Sequence, residues 1–369
     1  MSGVGATFLR VYLLRHGQSL NNQLLDSSFS SFASGRDPDA GLTQLGEEQA
    51  AALASHLCAR QHLLDPPITM LYTSPMTRAL ATAVIIGSAL NLRPVVWGSV
   101  HELGGCFQLI VNATGAVTGT LGLPGLSEAQ IATTFPVALL HSATSGTDAV
   151  GWYKGVQRES EAEARERLSG VLCALQARAA ALAGPAASDR STIERPPCDG
   201  RWMGASAAAA AAATTAAAEA GPMVPGPVIV APPTGAVGPH RSVFSANDVL
   251  RHTPAVAASS AIAIGSVYSD NTATSPPGAC CSGAHHREAI AIVAHGDAID
   301  VLLQLALSAA GAWVPAPAAQ RGHEQRLQFL TGNAAMSVFD MLPDGSVRVI
   351  ALNDAGHLTD HLRSGVIRY

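Results

Sequence analysis

The sequence has little charge and few aromatic side chains. Charged residues make up 13% of the 369 residues and aromatic residues 5%, whereas about 25% charged residues is average for globular proteins. The 22 basic and 27 acidic residues give a formal net charge of −5. Proteins that bind nucleic acid or an anionic membrane surface usually carry a basic excess. We therefore expect neither nucleic acid nor a membrane as a partner.

Cysteine motifs and long apolar segments are also missing. The six cysteines include no C-x-x-C pair, so they do not indicate the disulfide framework of a small secreted domain. The first nine residues lack the apolar region of a signal peptide. No strongly hydrophobic stretch is long enough to span a bilayer. Together these absences predict a cytoplasmic protein.

Strand-like and helix-like segments alternate along much of the chain. Short β-branched runs predict strands at 11–14, 68–73, 94–97 and 289–294. Apolar residues spaced by three and four predict helices at 45–64, 75–90, 159–182 and 297–310, capped at their starts by Thr43, Ser74 and Asp297. Segments 336–342 and 347–352 predict a hairpin. The alternation predicts an α/β fold, a three-layer αβα sandwich around a mostly parallel sheet.

Two long regions depart from this alternation. Residues 98–155 predict an irregular region with one helix near 127–134. Residues 184–287 contain polyalanine, Pro-Pro pairs and a surplus of Ser, Thr and Gly, which is typical of a low-complexity, disordered insertion. We therefore predict one folded domain, made of residues 1–183 and 288–369, that this insertion interrupts.

Two predicted strands end in the same way, in Arg15-His16-Gly17 and in Ala294-His295-Gly296. The carboxyl ends of parallel strands lie at one edge of a sheet, so the two imidazoles would converge there. Arg78 is predicted in the first turn of a helix, where the helix dipole disfavours a cation. A bound anion would compensate, and both a helix N-terminus and an arginine fork suit phosphate. This edge of the sheet is therefore the candidate site.

Five separate motifs occur in one order along the chain. They are Leu14-Arg15-His16-Gly17-x-Ser19-x-x-Asn22, Leu42-Thr43-x-x-Gly46-x-x-Gln49-Ala50, Ser74-Pro75-x-x-Arg78-Ala79-x-x-Thr82-Ala83, Glu102 and Ala294-His295-Gly296. In this order they resemble the histidine phosphatase superfamily, in the branch that is similar to cofactor-dependent phosphoglycerate mutase. The resemblance covers about residues 9–183 and 288–352, and the insertion has no counterpart in the common pattern.

The resemblance implies a role for each matching side chain. His16 would be the nucleophile that attacks phosphorus and becomes a phosphohistidine. Glu102 would protonate the leaving alkoxide and then activate water. The transition state spreads negative charge over the phosphoryl oxygens, and five residues would bind that group: Arg15, Gly17, Asn22, Arg78 and His295. No metal and no cofactor is expected, because side-chain cations supply the positive charge.

The resemblance leaves the reaction open between hydrolysis and phosphoryl transfer. Mutases of the family resemble one another in an arginine-rich loop after the proton donor, whereas residues 103–124 here contain neither Arg nor Lys. This favours a phosphoric monoester hydrolase whose substrate is a small phosphate ester or a phosphoprotein. The alternatives are a phosphoglycerate mutase-type phosphotransferase and a noncatalytic scaffold on the same fold. The zinc-ligand types in Cys280-Cys281-x-x-x-His285-His286 lack the usual spacing, so no metal site is predicted there.

Overall fold

The computed structural model describes residues 7–113, 116–184, 286–309 and 328–364. Contacts within the chain divide it into two units, Met1–Asp189 with Ser245–Tyr369, and Arg190–Phe244. All described residues belong to the first unit. The predicted insertion, apart from its end residues, and the cysteine–histidine cluster at 280–285 lie outside the described residues, so the domain division at 184 and 287 stays a prediction.

The described strands form one six-stranded sheet and one two-stranded sheet. They are β1 (Phe8–Arg15), β2 (Ile68–Thr73), β3 (Val95–Val96), β4 (Phe107–Val111), β5 (Val117–Gly122), β6 (Arg287–Ala294), β7 (Met336–Met341) and β8 (Val347–Asp354). The larger sheet has the order β3-β2-β6-β1-β7-β8. Its first four strands run parallel, and β7 and β8 are antiparallel. The predicted α/β fold with a mostly parallel sheet is confirmed.

Helices cover both faces of this sheet. They are α1 (Leu20–Ser27), α2 (Phe29–Gly35), α3 (Gln44–Arg60), α4 (Thr77–Leu90), α5 (Glu128–Thr134), α6 (Glu161–Leu182) and α7 (Gly296–Ala309). Apolar side chains of α6 and α7 pack on one face with Leu9, Val11 and Leu13 of β1. Those of α3 and α4 pack on the other face with Tyr12 and Leu14. Alternate side chains of the buried strand β1 thus belong to two hydrophobic cores, one on each face of the sheet. The three-layer prediction is confirmed.

The predicted helix starts have different outcomes. Thr43 caps α3 as predicted, because its hydroxyl accepts a hydrogen bond from the Gly46 N–H at 3.0 Å. Ser74 does not cap α4, which begins at Thr77, two residues after the predicted start. Asp297 lies inside the first turn of α7 rather than at its cap. The prediction for Ser74 is wrong because the helix begins only after Met76. The Ser74 hydroxyl accepts from the N–H of Met76, before the first turn, and also contacts His295.

The hairpin of β4 and β5 was not predicted from the sequence. The helix predicted in the same region is confirmed as α5, with Ser127 at its N-cap. The hairpin pairs Phe107 with Gly122, but most of its side chains are exposed or half-buried. A strand without a buried face shows no regular alternation of apolar and polar residues.

No helix among the described residues is long and apolar enough to cross a bilayer.

Candidate active site

The two histidine-ending strands are neighbours in the sheet. Strand β1 pairs in parallel with β6 so that Arg15 lies opposite Ala294. His16 and His295 directly follow this pair, and their ring centroids are 5.1 Å apart. Strand β2 lies on the other side of β6 and leads into Ser74. The predicted convergence at the carboxyl edge of the parallel strands is therefore confirmed.

The hydrogen bonds of His16 define the protonation of its ring. Nδ1 lies 2.6 Å from the Gly17 carbonyl oxygen, which can only accept, so Nδ1 carries the hydrogen. Nε2 accepts a hydrogen bond from Nε of Arg78 at 3.1 Å. Burial, together with the charges of Arg78 and Arg15, holds the pKa of His16 well below its usual value. The ring is therefore neutral, with its free electron pair on Nε2.

His295 presents a buried donor beside His16. Its Nε2 lies 2.8 Å from the Ser74 hydroxyl. That hydroxyl accepts from the Met76 N–H and can donate its own hydrogen to Nε2, so the ring hydrogen lies on Nδ1. Its Nδ1 is buried and has no hydrogen-bond partner among the described residues. An orphaned buried polar atom is costly unless a ligand satisfies it. Nδ1 of His295 can meet this need by binding an oxygen of an anion next to His16.

Arg15 and Arg78 add positive charge on either side of the histidines. Both side chains are buried. Arg15 donates from Nη1 to the Thr331 carbonyl, and its guanidinium lies so close to Gly296 that a Cβ on this glycine would be 3.4 Å from Cζ of Arg15. Arg78 uses only Nε within the described residues, on His16. Its two Nη groups remain as donors for an anion at the start of α4.

Glu102 is held by one carboxylate oxygen and retains the other. Its Oε1 accepts from the Leu103 N–H at 2.9 Å and from the Ala298 N–H in the first turn of α7 at 3.1 Å. Burial, reinforced by the charge of Asp297, raises the pKa of Glu102 to about 7. A carboxyl group with this pKa exists in both forms near neutral pH and can give or take a proton from Oε2.

Asn22 is committed in part to the local backbone. Ser19 caps α1, and the Asn22 side chain completes a capping box with it. The Asn22 Oδ1 accepts from the Ser19 N–H and hydroxyl. The Nδ2 group is then the atom of Asn22 that could bind a phosphate oxygen, and its predicted substrate role stays a prediction.

Gly17 lies against the start of α3. A Cβ at this position would lie 2.1 Å from the Gly46 carbonyl oxygen, so the missing side chain makes room for the start of α3. The Gly17 N–H donates to the Thr82 hydroxyl at 3.1 Å, which in turn donates to the Arg78 carbonyl. These contacts fix the turn after His16, and the predicted role of Gly17 in binding the phosphoryl group stays a prediction.

Arg36 lies near the site and was not identified from the sequence. It follows α2, and its guanidinium carbon lies 3.8 Å from the centre of the Phe107 ring, while Nη1 donates to the Phe107 carbonyl. Arg158 approaches the same ring at 5.3 Å. Burial and the charge of Arg78 lower the pKa of Arg36 to about 10. Two arginines from distant segments thus contact Phe107 in residues 103–124, a segment that contains no arginine itself.

The aromatic residues after Glu102 serve mainly as packing. Trp152 and Tyr153 are buried in a cluster with Met76 and Cys106. The His101 ring packs on both aromatic rings, at 5.0 Å and 5.9 Å between centroids. Burial lowers the pKa of His101 to about 3. A histidine that stays neutral and packed in this way is unsuited to replace Glu102 as the proton donor.

Comparison with protein families gives one match. The model of the histidine phosphatase superfamily, branch 1, matches residues 11–107, which include His16, Arg78 and Glu102. No curated protein matches the chain. The family resemblance drawn from the motifs is therefore confirmed over this part of the chain.

Solved structures that match the chain include three phosphatases. A mycobacterial glucosyl-3-phosphoglycerate phosphatase in complex with inorganic phosphate is 17% identical, with a TM-score of 0.37 and coverage of 95% of this chain and 99% of its own. An ecdysone phosphate phosphatase from Bombix mori is 10% identical, with a TM-score of 0.40 and coverage of 98% and 97%. The α-ribazole phosphatase from Shigella flexneri is 14% identical, with a TM-score of 0.38 and coverage of 97% and 100%.

Proposed function

From the membership of residues 11–107 in the histidine phosphatase superfamily, we propose that the chain hydrolyses phosphate monoesters through a phosphohistidine on His16. The observation that carries the proposal is the state of His16. Its Nε2 is unprotonated, buried and bonded to Arg78. A neutral imidazole nitrogen beside two arginines is the arrangement that a nucleophile for phosphorus requires.

In the first step the Nε2 electron pair attacks phosphorus and the bond from phosphorus to the ester oxygen breaks. The entering phosphoryl group takes over the Nε donor of Arg78 that now serves His16 and also binds the two Nη groups of that arginine. Arg15 and the Nδ1 of His295 stabilise the charge on the other phosphoryl oxygens, since catalysis of phosphoryl transfer is mainly positioning and electrostatic stabilisation. The N–H on Nδ1, held by the Gly17 carbonyl, keeps the ring oriented throughout.

Glu102 handles the proton in both steps. In its protonated form it gives the proton to the leaving alkoxide, which departs as an alcohol. The resulting carboxylate then takes a proton from water as the water oxygen attacks the phosphohistidine. Phosphate leaves, and His16 and the acid form of Glu102 are restored. A pKa of about 7 suits a group that must serve as acid and base in one cycle.

The substrate class follows from the same site. One cluster of cations binds one phosphoryl group, so a small phosphate ester or an exposed phosphorylated side chain would fit, and the reaction needs neither metal nor cofactor. The phosphotransferase alternative gains one observation, because Arg36 and Arg158 supply cations that residues 103–124 lack. The lack of Arg and Lys in residues 103–124 is therefore a weaker argument against transfer to a second anionic acceptor than the sequence alone suggests.

The test is hydrolysis of p-nitrophenyl phosphate between about pH 4 and pH 8 with EDTA present. We expect turnover by the natural chain, its loss in His16→Ala, and retention in His62→Ala, a matched change at an exposed histidine. Circular dichroism should show the same fold in all three. Turnover retained by His16→Ala would overturn the nucleophile, and absence of turnover in every protein would favour the phosphotransferase or the scaffold.

A second measurement separates hydrolysis from transfer. Alcohol and inorganic phosphate are quantified together, with and without an added phosphorylated hydroxy acid. Hydrolysis releases them in equal amounts under both conditions, whereas a phosphotransferase releases less phosphate than alcohol when the acceptor is present. Deletion of residues 184–287 should leave hydrolysis intact if the insertion is separate from the catalytic domain.

A further inference from the structure

A buried ion pair outside the phosphate site has no role in the mechanism above. Arg167 of α6 and Glu159, just before that helix, have side chains that are each 9% exposed. Their contact is bidentate, with Nε to Oε1 and Nη2 to Oε2 both at 2.7 Å. Burying two charges costs more than a surface pair unless their remaining donors are also satisfied. The remaining donor group of Arg167, Nη1, contacts the backbone of another segment.

Arg167 binds the segment that carries Glu102. Its Nη1 donates to the Ser99 carbonyl at 2.7 Å and to the His101 carbonyl at 3.2 Å. His101 directly precedes the proposed proton donor. The guanidinium is rigid and planar, so it fixes the distance between the helix and this segment more tightly than a flexible side chain could.

Glu159 holds the same segment on the other side of Glu102. Its backbone N–H donates to the Gly104 carbonyl at 3.0 Å. Between these anchors the chain turns back, because the Gly105 N–H donates to the Glu102 carbonyl at 3.0 Å. Gly104 and Gly105 both have positive φ, at 92° and 68°, a conformation that only glycine adopts readily. The turn therefore needs anchors outside itself to keep one geometry.

We propose that Arg167, paired with Glu159, is a positioning residue that aims Glu102 at the leaving group. The two residues hold the chain before and after Glu102, and the first turn of α7 holds its Oε1 through Ala298. Loss of Arg167 removes one of these supports, whereas the phosphate-binding residues lie on other elements and keep their own supports. The proposal rests on the proposed function, because it requires Glu102 to transfer a proton.

The test uses a series of aryl and alkyl phosphates whose leaving groups range from acidic phenols to simple alcohols. The rate constant kcat/KM reports the step in which the leaving group departs. Protonation matters little for a nitrophenol and greatly for an alcohol, so a misplaced Glu102 steepens the dependence of kcat/KM on leaving-group pKa. A variant that is merely less stable loses activity equally for all members of the series.

The variants are Arg167→Met and the milder Arg167→Lys, with Arg165→Met as the matched control. Arg165 lies on the same helix in a more exposed pair with Glu161. We expect Arg167→Met to lose about tenfold to hundredfold in kcat/KM for alkyl phosphates and less than about threefold for p-nitrophenyl phosphate. Arg167→Lys retains the charge but not both carbonyl contacts, so its slope should fall between those of Arg167→Met and the natural chain.

The single variant Glu102→Gln distinguishes a failure of this proposal from a failure of the proposed function. If Glu102→Gln does not steepen the slope, Glu102 is not the proton donor and the proposed function is wrong at that step. If Glu102→Gln steepens it but the Arg167 variants follow the control, the positioning role is overturned. Should Arg167→Met fail to fold, the slope of Arg167→Lys decides in the same way.

Discussion

Replacement of Glu102 by Gln should make the folded protein more stable at alkaline pH while it abolishes efficient catalysis. The glutamine oxygen can still accept from the Leu103 and Ala298 N–H groups that now bind Oε1. What the change removes is a half-buried carboxylate that faces the charge of Asp297. The perturbation therefore isolates the cost of ionising this group from the cost of losing its contacts.

The magnitude follows from the pKa of Glu102, which rises from 4.5 to about 7 on folding. Each tenfold change in proton affinity corresponds to about 1.4 kcal/mol, so ionisation costs the folded state at most about 3 kcal/mol. Partial contact of the side chain with solvent reduces this to about 2 kcal/mol. Because the folded pKa is the higher one, the stabilising proton is fully bound below pH 4.5, and its contribution is lost as the pH rises through about 7.

The assay is urea unfolding of the natural chain and of Glu102→Gln at about pH 5 and about pH 8. We expect the difference in the free energy of unfolding to shift in favour of the variant by about 2 kcal/mol between the two conditions. Glu48→Gln, the same change at an exposed position of α3, serves as the matched control. A variant that is destabilised equally at both pH values would refute the assignment of a buried, high-pKa carboxyl.

Other predictions concern the supports and the surroundings of the site. Gly17→Ala should destabilise the fold by about 1–3 kcal/mol or more, because its Cβ would lie 2.1 Å from the Gly46 carbonyl oxygen; thermal unfolding checks this, and an unchanged midpoint would contradict it. Arg36→Met should raise KM severalfold with little change in kcat, since Arg36 lies beside Phe107 near the phosphate-binding cations; a fall in kcat alone would contradict this. The kcat/KM for alkyl phosphates should decline above about pH 7 as Glu102 loses its proton, and this decline should be absent in Glu102→Gln.

Much of the fold could be predicted because buried parallel strands have a recognisable sequence pattern. The apolar runs before His16 and before His295 contain residues that are buried on both faces, and such runs belong to central parallel strands. Their neighbouring positions in one sheet then bring the two histidines together without further information. The hairpin of β4 and β5 lacks a buried face and left no comparable pattern.

The site residues that escaped prediction act through tertiary contacts. Ser74 looks like a helix cap in the sequence, yet its hydroxyl is bonded to His295, which follows the neighbouring strand β6. Arg36 lies in an ordinary polar turn, and only the fold brings it to Phe107. Arg167 did leave a signal, because it occupies the apolar face of its helix between Ala164 and Val171. A charge in that position predicts a buried partner, although not which loop it holds.

The central claim is that a phosphoryl group is carried on His16. The direct measurement is intact-mass analysis of the protein after brief reaction with p-nitrophenyl phosphate and denaturation at alkaline pH, followed by mapping of the modified residue. We expect one phosphoryl group on His16, with a larger fraction in Glu102→Gln because water is then activated poorly, and none in His16→Ala. A phosphoryl group on another residue, or turnover without any on His16, would contradict the account.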